Sequence, residues 1–313
     1  MPVSPEALSV PSATGRPELD CVVVGGGPAG LTAGLYLRRF LRDVRVVDAR
    51  ASRARRISRS NNVAGFPDGV AGTELLERMT RQLQHAGGAV LHDLVGGLQR
   101  APGGTFDIAL GATTLRARAV ILCTGVRDRL PSVPGADAVE AAALLRYCPI
   151  CDGYEHRGKR IAVLGRSVHG VREAAFLRTF SKGVRFVGMD GCTESLGPAL
   201  RSAGVDALPC GPSSLAVERD REVVLITEDG TAHRFDVVYA ALGVDPCAQL
   251  AAGLDVRLDD RGCIVADAHG RTSVENLYAA GDVVSALDQI GVAVGQAAIA
   301  ATAVHNSLRR AGH

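Results

Sequence analysis

Tryptophan is absent from this chain of 313 residues, and aromatic residues make up only 4% of it. A chain with so few aromatic side chains lacks the stacking platforms on which single-stranded nucleic acid binds. Charge is nearly balanced, because 35 Lys and Arg residues stand against 33 Asp and Glu residues. We therefore predict no nucleic-acid partner, since that function requires a basic face.

Long apolar runs and cysteines are also scarce. No run approaches the ~20 apolar residues of a membrane-spanning helix, and eight cysteines are too few here for a disulfide scaffold. The first 20 residues mix Pro, Ser, Ala and Glu and lack the apolar core of a secretory signal. We therefore predict a cytoplasmic protein with no membrane partner, whose residues 1–17 form a flexible tail.

Glycine, by contrast, is abundant, with 37 residues. Hydrophobic residues make up 47% of the chain and charged residues 22%, which is the balance of a globular protein with a full core. The length predicts two domains, at about 150 residues per domain. So many glycines with so few aromatics suit a backbone that packs closely against a large ligand.

A complete βαβ unit with the pattern G-x-G-x-x-G opens the chain. A predicted strand at 20–24 leads into this loop, a helix follows, and a second strand ends at Asp48. In this pattern Gly25 permits the tight turn, Gly27 lets a pyrophosphate approach the backbone, and Gly30 lets the helix pack closely. Asp48 stands where an acid hydrogen-bonds a ribose hydroxyl. The loop residues assigned to cofactor binding are Gly25, Gly27, Pro28, Ala29 and Gly30.

A second βαβ unit begins at Lys159, with a degraded form of the same pattern. Gly165 and Gly170 remain, but Ser167 replaces the middle glycine, and the second strand ends at Asp190. Ser is small and can donate a hydrogen bond, so the loop is predicted to bind a dinucleotide more weakly. The alternative is a structural βαβ layer that has lost its ligand.

Shorter strand patterns lie between and after these units, at 104–110, 114–125, 222–227 and 233–243, and we predict that they form β-meanders. A long Ala-rich helix at about 291–308 closes the chain. The pattern predicts an α/β protein with two Rossmann-like dinucleotide-binding domains, the second inserted into the first.

Cys148 and Cys151 have the spacing C-x-x-C, and such a pair can form and break a disulfide. A structural zinc site needs two further ligands; His156 is one candidate and no other lies nearby. Haem attachment needs His where Asp152 stands. We therefore predict a redox dithiol and no metal.

The order of these motifs closely resembles the low-molecular-weight thioredoxin reductases over about residues 21–308. The shared motifs are G-x-G-x-x-G, Ala-Gly-Phe-Pro near residue 65, Cys-Thr-Gly, Cys-x-x-Cys-Asp-Gly, the second βαβ unit, Gly-x-x-Pro and Ala-Ala-Gly-Asp-Val. The resemblance implies FAD in a discontinuous domain of 18–126 and 248–313. It implies NADPH in an inserted domain of 127–247, for which the residues offer NADH as the alternative, and a homodimer.

The resemblance also assigns roles to single residues. Cys151 would face flavin C4a, Cys148 would exchange with a thioredoxin-like protein or a small-molecule disulfide, and Asp152 would be a general acid. The alternative for Asp152 is a turn-forming Asp-Gly at a helix start. The further cofactor-binding residues are Asn62, Thr124, Gly125, Gly281, Asp282, Gln289 and Ile290.

The sequence departs from that family at the second unit. No basic cluster follows its second strand to pair a 2′-phosphate, and Asp190 favours a free ribose hydroxyl instead. Cys-Pro-Ile-Cys followed by Asp-Gly-Tyr-Glu, at 148–155, also resembles a branch that includes small-molecule dithiol oxidases, which pass electrons to oxygen or a nicotinamide. A redox-sensing flavoprotein without nicotinamide turnover is a further alternative to a reductase.

Overall fold

The computed structural model describes residues 18–218 and 221–313, so the predicted tail at 1–17 lies outside the described residues. The chain is an α/β protein in which two compact units each contain a parallel sheet, as the sequence predicts. Of the described residues, the first unit contains 18–54, 76–125 and 247–313. The second is formed by 55–75 and 126–246.

Strands and helices are numbered along the chain. The strands are β1 Leu19–Val24, β2 Val44–Val47, β3 Val90–Leu91, β4 Val95–Arg100, β5 Phe106–Leu110, β6 Thr113–Leu122, β7 Val126–Asp128, β8 Leu145–Arg146, β9 Ile161–Gly165, β10 Val184–Gly188, β11 Asp206–Ala207, β12 Pro212–Val217, β13 Val223–Thr227, β14 Ala232–Phe235, β15 Val237–Ala241, β16 Val244–Pro246 and β17 Leu277–Ala279. The α-helices are α1 Pro28–Arg39, α2 Gly72–His85, α3 Ala136–Ala141, α4 Pro149–Asp152, α5 Val168–Leu177, α6 Gly197–Ser202 and α7 Ile290–Arg310. Short 3₁₀ helices cover Arg53–Arg56, Pro102–Gly104, Met189–Gly191 and Gln249–Leu254.

The first unit is built on a seven-stranded sheet of order β3-β2-β1-β6-β5-β4, with β17 also on β6. The long strand β6 pairs in parallel with β1, and its two halves pair with β5 and β17. Small residues let α1 approach this sheet, since a Cβ at Gly34 would lie 2.5 Å from Cγ2 of Val46. Helix α7 packs on α1 through buried alanines, among them Ala297 and Ala301.

The second unit is built on a five-stranded parallel sheet of order β11-β10-β9-β15-β8. Both faces of this sheet are buried, as its apolar strands require. In β9, Ala162 and Leu164 join one hydrophobic core, whereas Ile161 and Val163 join the core on the other face. An antiparallel sheet of β12-β13-β14 and the ribbon of β7 and β16 complete the unit.

The predicted meander at 233–243 is wrong, because the run divides at Asp236. Strand β14 ends before Asp236 in the antiparallel sheet, and β15 follows it in the parallel sheet. The backbone N–H of Asp236 donates to the carbonyl oxygen of Arg160 at 2.9 Å, and its carboxylate accepts from the Arg160 N–H at 2.7 Å. These bonds fix the chain where it changes sheets. The run at 114–125 is also more than a meander, since β6 pairs in parallel with β1.

The two units divide after Gly125 and before Cys247, whereas the sequence predicts an inserted domain of 127–247. The structure differs by grouping residues 55–75 with the second unit. Charged contacts explain this grouping, because Arg56 pairs with Asp128 at 3.4 Å and also with Glu140. Arg146 donates to the hydroxyl of Ser58 at 3.2 Å.

Candidate active site

Two glycines of the first loop are fixed by close backbone contacts. Gly25 has φ +114°, and a Cβ there would lie 2.2 Å from the carbonyl oxygen of Cys123. A Cβ at Gly30 would lie 1.7 Å from the carbonyl oxygen of Gly25. No side chain fits at either position, so both glycines shape the turn between β1 and α1.

Gly27 has a different environment, because it leaves room for a ligand. It is the N-cap of α1, Pro28 is the first helical residue, and a Cβ at Gly27 would meet only Oγ of Ser52, at 3.2 Å. The free N–H groups of the first turn are suited to a pyrophosphate. The loop therefore fits the dinucleotide that the sequence predicts.

Asp48 and Gly281 both lie against this loop. A Cβ at Gly26 would lie 2.3 Å from Cγ of Asp48, and a Cβ at Gly281 would lie 2.9 Å from Cβ of Ala29. Asp48 also accepts a hydrogen bond from the N–H of Arg50 at 2.9 Å. The structure thus brings together three segments that are distant in sequence and were assigned to one cofactor.

Arg53 was not among the residues predicted from the sequence. Its Nη1 lies 3.4 Å from Oδ2 of Asp282 and 4.0 Å from Oδ2 of Asp288. Gln296 was also missed, and its Oε1 accepts from the N–H of Gly281 at 2.8 Å. Neither residue belongs to a sequence pattern, because their roles arise only when distant segments meet.

All but one of the remaining residues that the sequence assigns to flavin binding belong to the first unit. Thr124 donates from Oγ1 to the carbonyl oxygen of Cys247 at 2.6 Å, and Gly125 has φ +67°. Gln289 is the N-cap of α7 and Ile290 is its first residue. Asn62 belongs to the second unit, where its Oδ1 accepts from Oγ of Ser60 at 2.9 Å.

Cys148 and Cys151 form a disulfide across the short helix α4, with their Cα atoms 5.3 Å apart. Cys148 is the N-cap of this helix, and its Sγ accepts from the N–H of Cys151 at 3.2 Å. An N–H that points at this sulfur stabilises its thiolate form. Ile150 lies between the two cysteines with 48% of its surface exposed.

Asp152 is buried, with 6% of its surface exposed, and accepts hydrogen bonds on both carboxylate oxygens. Arg146 donates from Nε to Oδ2, and Tyr239 donates from its hydroxyl to Oδ1 at 2.6 Å. The parallel pairing of β8 with β15 sets Arg146 directly beside Tyr239. The hydroxyl of Tyr239 also lies 2.8 Å from Nδ1 of His156. The sequence did not predict these three partners.

Burial shifts the pKa values around Asp152. It raises the pKa of the Tyr239 phenol far above its ordinary value, with the charge of Asp152 adding to the effect. Burial lowers the pKa of His156, although the charge of Asp152 acts in the opposite direction. Beside the disulfide, burial raises the pKa of Tyr147 to about 12, and the Arg56 guanidinium lies 4.8 Å from its ring centre.

In the loop of the second βαβ unit, between β9 and α5, both glycines are closely packed. A Cβ at Gly165 would lie 2.5 Å from Cε2 of Phe186, and a Cβ at Gly170 would lie 3.1 Å from Cα of Gly165. Ser167 is the N-cap of α5, and its hydroxyl makes no capping hydrogen bond. The two glycines therefore still allow the tight turn between β9 and α5. The hydroxyl of Ser167 occupies the position at which the pattern has its middle glycine.

Two arginines of the second unit pair with carboxylates. Nη1 of Arg166 lies 3.5 Å from Oδ2 of Asp190, and Nη1 of Arg185 lies 3.0 Å from Oδ2 of Asp206. Asp190 follows β10 with φ +54°, in the left-handed region. Among residues 18–218 and 221–313, no group of His, Cys, Asp and Glu could hold a metal, and no helix could span a membrane.

Residues 19–297 match the pyridine nucleotide-disulphide oxidoreductase family. This chain belongs to that family. Thioredoxin reductase of Mycolicibacterium smegmatis is 29% identical over 85% of this chain and 88% of the relative. Thioredoxin reductase of Streptomyces coelicolor is 28% identical over 85% of this chain and 86% of the relative.

Solved structures agree with this assignment. Thioredoxin reductase of Streptococcus pyogenes has a TM-score of 0.83 and 27% identity, covering 94% of this chain and 99% of that one. The structure of HlmI has a TM-score of 0.86 and 28% identity, with 94% and 93% covered. The chain is therefore a flavin-dependent oxidoreductase of the thioredoxin-reductase type, with a redox-active disulfide, as the sequence predicts.

Proposed function

We propose that this oxidoreductase reduces an external disulfide with the pair Cys148 and Cys151. The observation that carries the proposal is the disulfide across α4, whose Cys148 sulfur accepts from the N–H of Cys151 at 3.2 Å. Stabilising a thiolate at Cys148 suits it to attack the substrate disulfide. Cys151 then attacks the mixed disulfide, which releases the reduced substrate and restores the bond between the two cysteines.

We assign FAD to the first unit and a nicotinamide to the second. When bound, the flavin supplies electrons to a disulfide two at a time. The loop at Gly27 would hold the pyrophosphate, Asp48 the ribose, and the turn at Gly281 and Asp282 the adjoining part of the cofactor. The open side of Gly27 supports this, because a Cβ there meets only Oγ of Ser52.

Asp152 is the proposed acid for the redox pair. It directly follows Cys151 in α4, and its carboxylate is held on both oxygens by Arg146 and Tyr239. A positioned acid that protonates a departing thiolate accelerates a reaction by about 10²–10⁴-fold. The alternative role as a turn former does not require these two donors.

The substrate that we propose is the disulfide of a thioredoxin-like protein. Relatives and similar structures carry the name thioredoxin reductase, and the exposed Ile150 offers an apolar contact beside the disulfide. A homodimer is proposed from the family resemblance. A cytoplasmic location is proposed from the sequence, because its eight cysteines are too few for the disulfide scaffold of a secreted protein.

Anaerobic titration with NADH and NADPH separately, followed by a turnover assay, tests the proposed function. A reductase bleaches the flavin band with at least one nicotinamide and then reduces a thioredoxin or the dye 5,5′-dithiobis(2-nitrobenzoate). A protein that bleaches with neither nicotinamide but passes electrons from a small dithiol to oxygen is a dithiol oxidase. A protein that does neither is a redox sensor, and both outcomes contradict the proposal.

A further inference from the structure

We propose that Tyr239 and His156 form a proton path that supplies Asp152 with the proton it gives to the redox pair. The inference rests on the proposed function, in which Asp152 is the acid. The hydroxyl of Tyr239 donates to Oδ1 of Asp152 at 2.6 Å and lies 2.8 Å from Nδ1 of His156. These contacts join the carboxylate to the imidazole by hydrogen bonds without a gap.

Tyr239 is the partner of Asp152 through which a proton can arrive. The other donor to the carboxylate is Arg146, and a guanidinium does not lose its proton in a protein. A tyrosine hydroxyl, by contrast, can donate one hydrogen bond while it accepts another. Arg146 therefore holds the carboxylate in place, and Tyr239 connects it to a group that exchanges protons.

Burial separates Asp152 from solvent, so that it needs a proton path, and keeps Tyr239 in the protonated form that such a path requires. The side chain of Tyr239 is fully buried and Asp152 is 6% exposed, so the carboxylate has little direct access to water. His156 is only partly buried and can exchange protons with solvent. Asp152, Arg146 and Glu155 are the charged groups that face His156. Burial raises the pKa of Tyr239, so its phenol remains a neutral hydroxyl that relays a proton.

The proposed step balances with one proton drawn from solvent. Two electrons from the oxidoreductase reaction break the bond between the sulfurs, and one sulfur becomes a thiolate while the other takes a proton from Asp152. Asp152, a carboxylate that accepts two hydrogen bonds at rest, first takes this proton from Tyr239, which in turn receives the Nδ1 proton of His156. Because burial lowers its pKa, His156 is neutral at rest. It enters this step as a transient imidazolium that has taken a proton from solvent at Nε2, and it leaves the step as the neutral ring.

The test measures the internal reduction of the Cys148–Cys151 disulfide in the flavin-loaded protein. Dithionite supplies the electrons, and the thiols are alkylated and counted by mass spectrometry after timed acid quenching. We expect Tyr239→Phe and His156→Ala to slow this step about 10- to 100-fold, as loss of a proton donor does. The matched controls Tyr154→Phe and His233→Gln should keep the wild-type rate.

Three further readouts separate a proton path from a structural role. Free imidazole should restore the rate of His156→Ala but not that of Tyr239→Phe. The solvent isotope effect in D₂O should fall in both variants, and Asp152→Asn combined with Tyr239→Phe should be no slower than Asp152→Asn alone. Thermal unfolding shows whether each variant is folded.

A wild-type rate in Tyr239→Phe overturns the inference. A slow His156→Ala that is folded and not restored by imidazole overturns it as well. Failure of the proposed function has a different signature, because the wild type then shows no turnover of an external disulfide while its internal step is still measured with dithionite.

Discussion

Gly30 faces Gly25 across the first turn of α1 so closely that a Cβ on Gly30 would lie 1.7 Å from the Gly25 carbonyl oxygen. Gly27, between them in sequence, has only the Ser52 hydroxyl within 4 Å of its Cβ position, at 3.2 Å. One glycine of the loop is therefore required by the fold, and another leaves space that a ligand can fill. Substitutions at Gly30 and Gly27 can therefore test the structural role and the ligand-binding role of the loop separately.

We expect Gly27→Val to fold but to purify without its yellow colour. The branched side chain projects into the space assigned to the pyrophosphate and meets little protein there. Gly30→Ala should instead lower the unfolding temperature strongly, because its Cβ collides with backbone. The measurements are flavin absorbance per protein and thermal unfolding.

Gly96→Val is the matched control for this experiment. Gly96 lies in β4 of the same unit with no heavy atom within 4 Å of its Cβ position, so the variant should keep both flavin and stability. A Gly27→Val protein with stoichiometric flavin would contradict the assignment of the loop.

The two cysteines should differ in the trapping of a substrate. Cys151→Ser keeps the Cys148 thiol, and we expect it to form a stable mixed disulfide with 5,5′-dithiobis(2-nitrobenzoate) faster than Cys148→Ser does at Cys151. Both variants should lose turnover, whereas Cys210→Ser should retain it. Mass spectrometry of timed samples locates the adduct, and faster trapping by Cys148→Ser would reverse the two roles.

Motifs made of neighbouring residues could be predicted from the sequence, and sites assembled by distant segments could not. The loop at Gly25 and the pair Cys148 and Cys151 depend on local spacing, so the chain order shows them. Tyr239 reaches Asp152 only because β15 pairs with β8, and the sequence contains no pattern for that pairing. Likewise, Arg53 joins Asp282 from a position 229 residues earlier in the chain.

Arg146 should contribute to stability through its buried pair with Asp152. Arg146→Met leaves a buried carboxylate without its ion-pair partner, and we expect a loss of about 3 kcal/mol in the free energy of unfolding. Adding Asp152→Asn should recover more than half of this loss. Arg185→Met breaks the exposed pair with Asp206 and should cost less than about 1 kcal/mol. Urea denaturation compares the variants, and equal losses for the two arginines would contradict the argument.

We expect the stability of the first unit to depend on pH through His305. Its Nδ1 accepts from Nε of Arg42 at 3.1 Å, and burial together with the charge of Arg42 lowers its pKa below the ordinary value. As the pH falls through about 6.5, His305 is protonated in the unfolded chain before it is protonated in the folded protein. The folded state therefore loses stability between about pH 6.5 and the lowered pKa of His305. We expect His305→Gln to show a smaller loss of unfolding temperature between pH 7 and pH 5. An unchanged loss would contradict this role.

We expect the choice of electron donor to depend on the ion pair between Arg166 and Asp190. A 2′-phosphate carries about −1.5 to −2 charges and needs a free cation, usually an arginine. Arg185 is the cation within the strand β10, and it pairs with Asp206 at 3.0 Å. Arg166 lies 3.5 Å from Asp190, whose carboxylate would repel the phosphate. We therefore expect NADH to be at least as effective as NADPH. Reduction by both should be slow, because Ser167 replaces the middle glycine of the loop.

Asp190→Asn tests this prediction, because it removes the repulsion between the Asp190 carboxylate and the 2′-phosphate and leaves Arg166 without its carboxylate partner. We expect the ratio of kcat/KM for NADPH over NADH to rise about tenfold, which corresponds to ~1.4 kcal/mol. Calorimetric binding of NADP⁺ and NAD⁺ should shift in the same direction. Asp206→Asn removes a similarly exposed carboxylate from the Arg185 pair and should leave the ratio unchanged. The assays belong at low salt, where charge contacts are least screened. A wild-type preference for NADPH above about tenfold would mean that a cation outside these two pairs binds the phosphate.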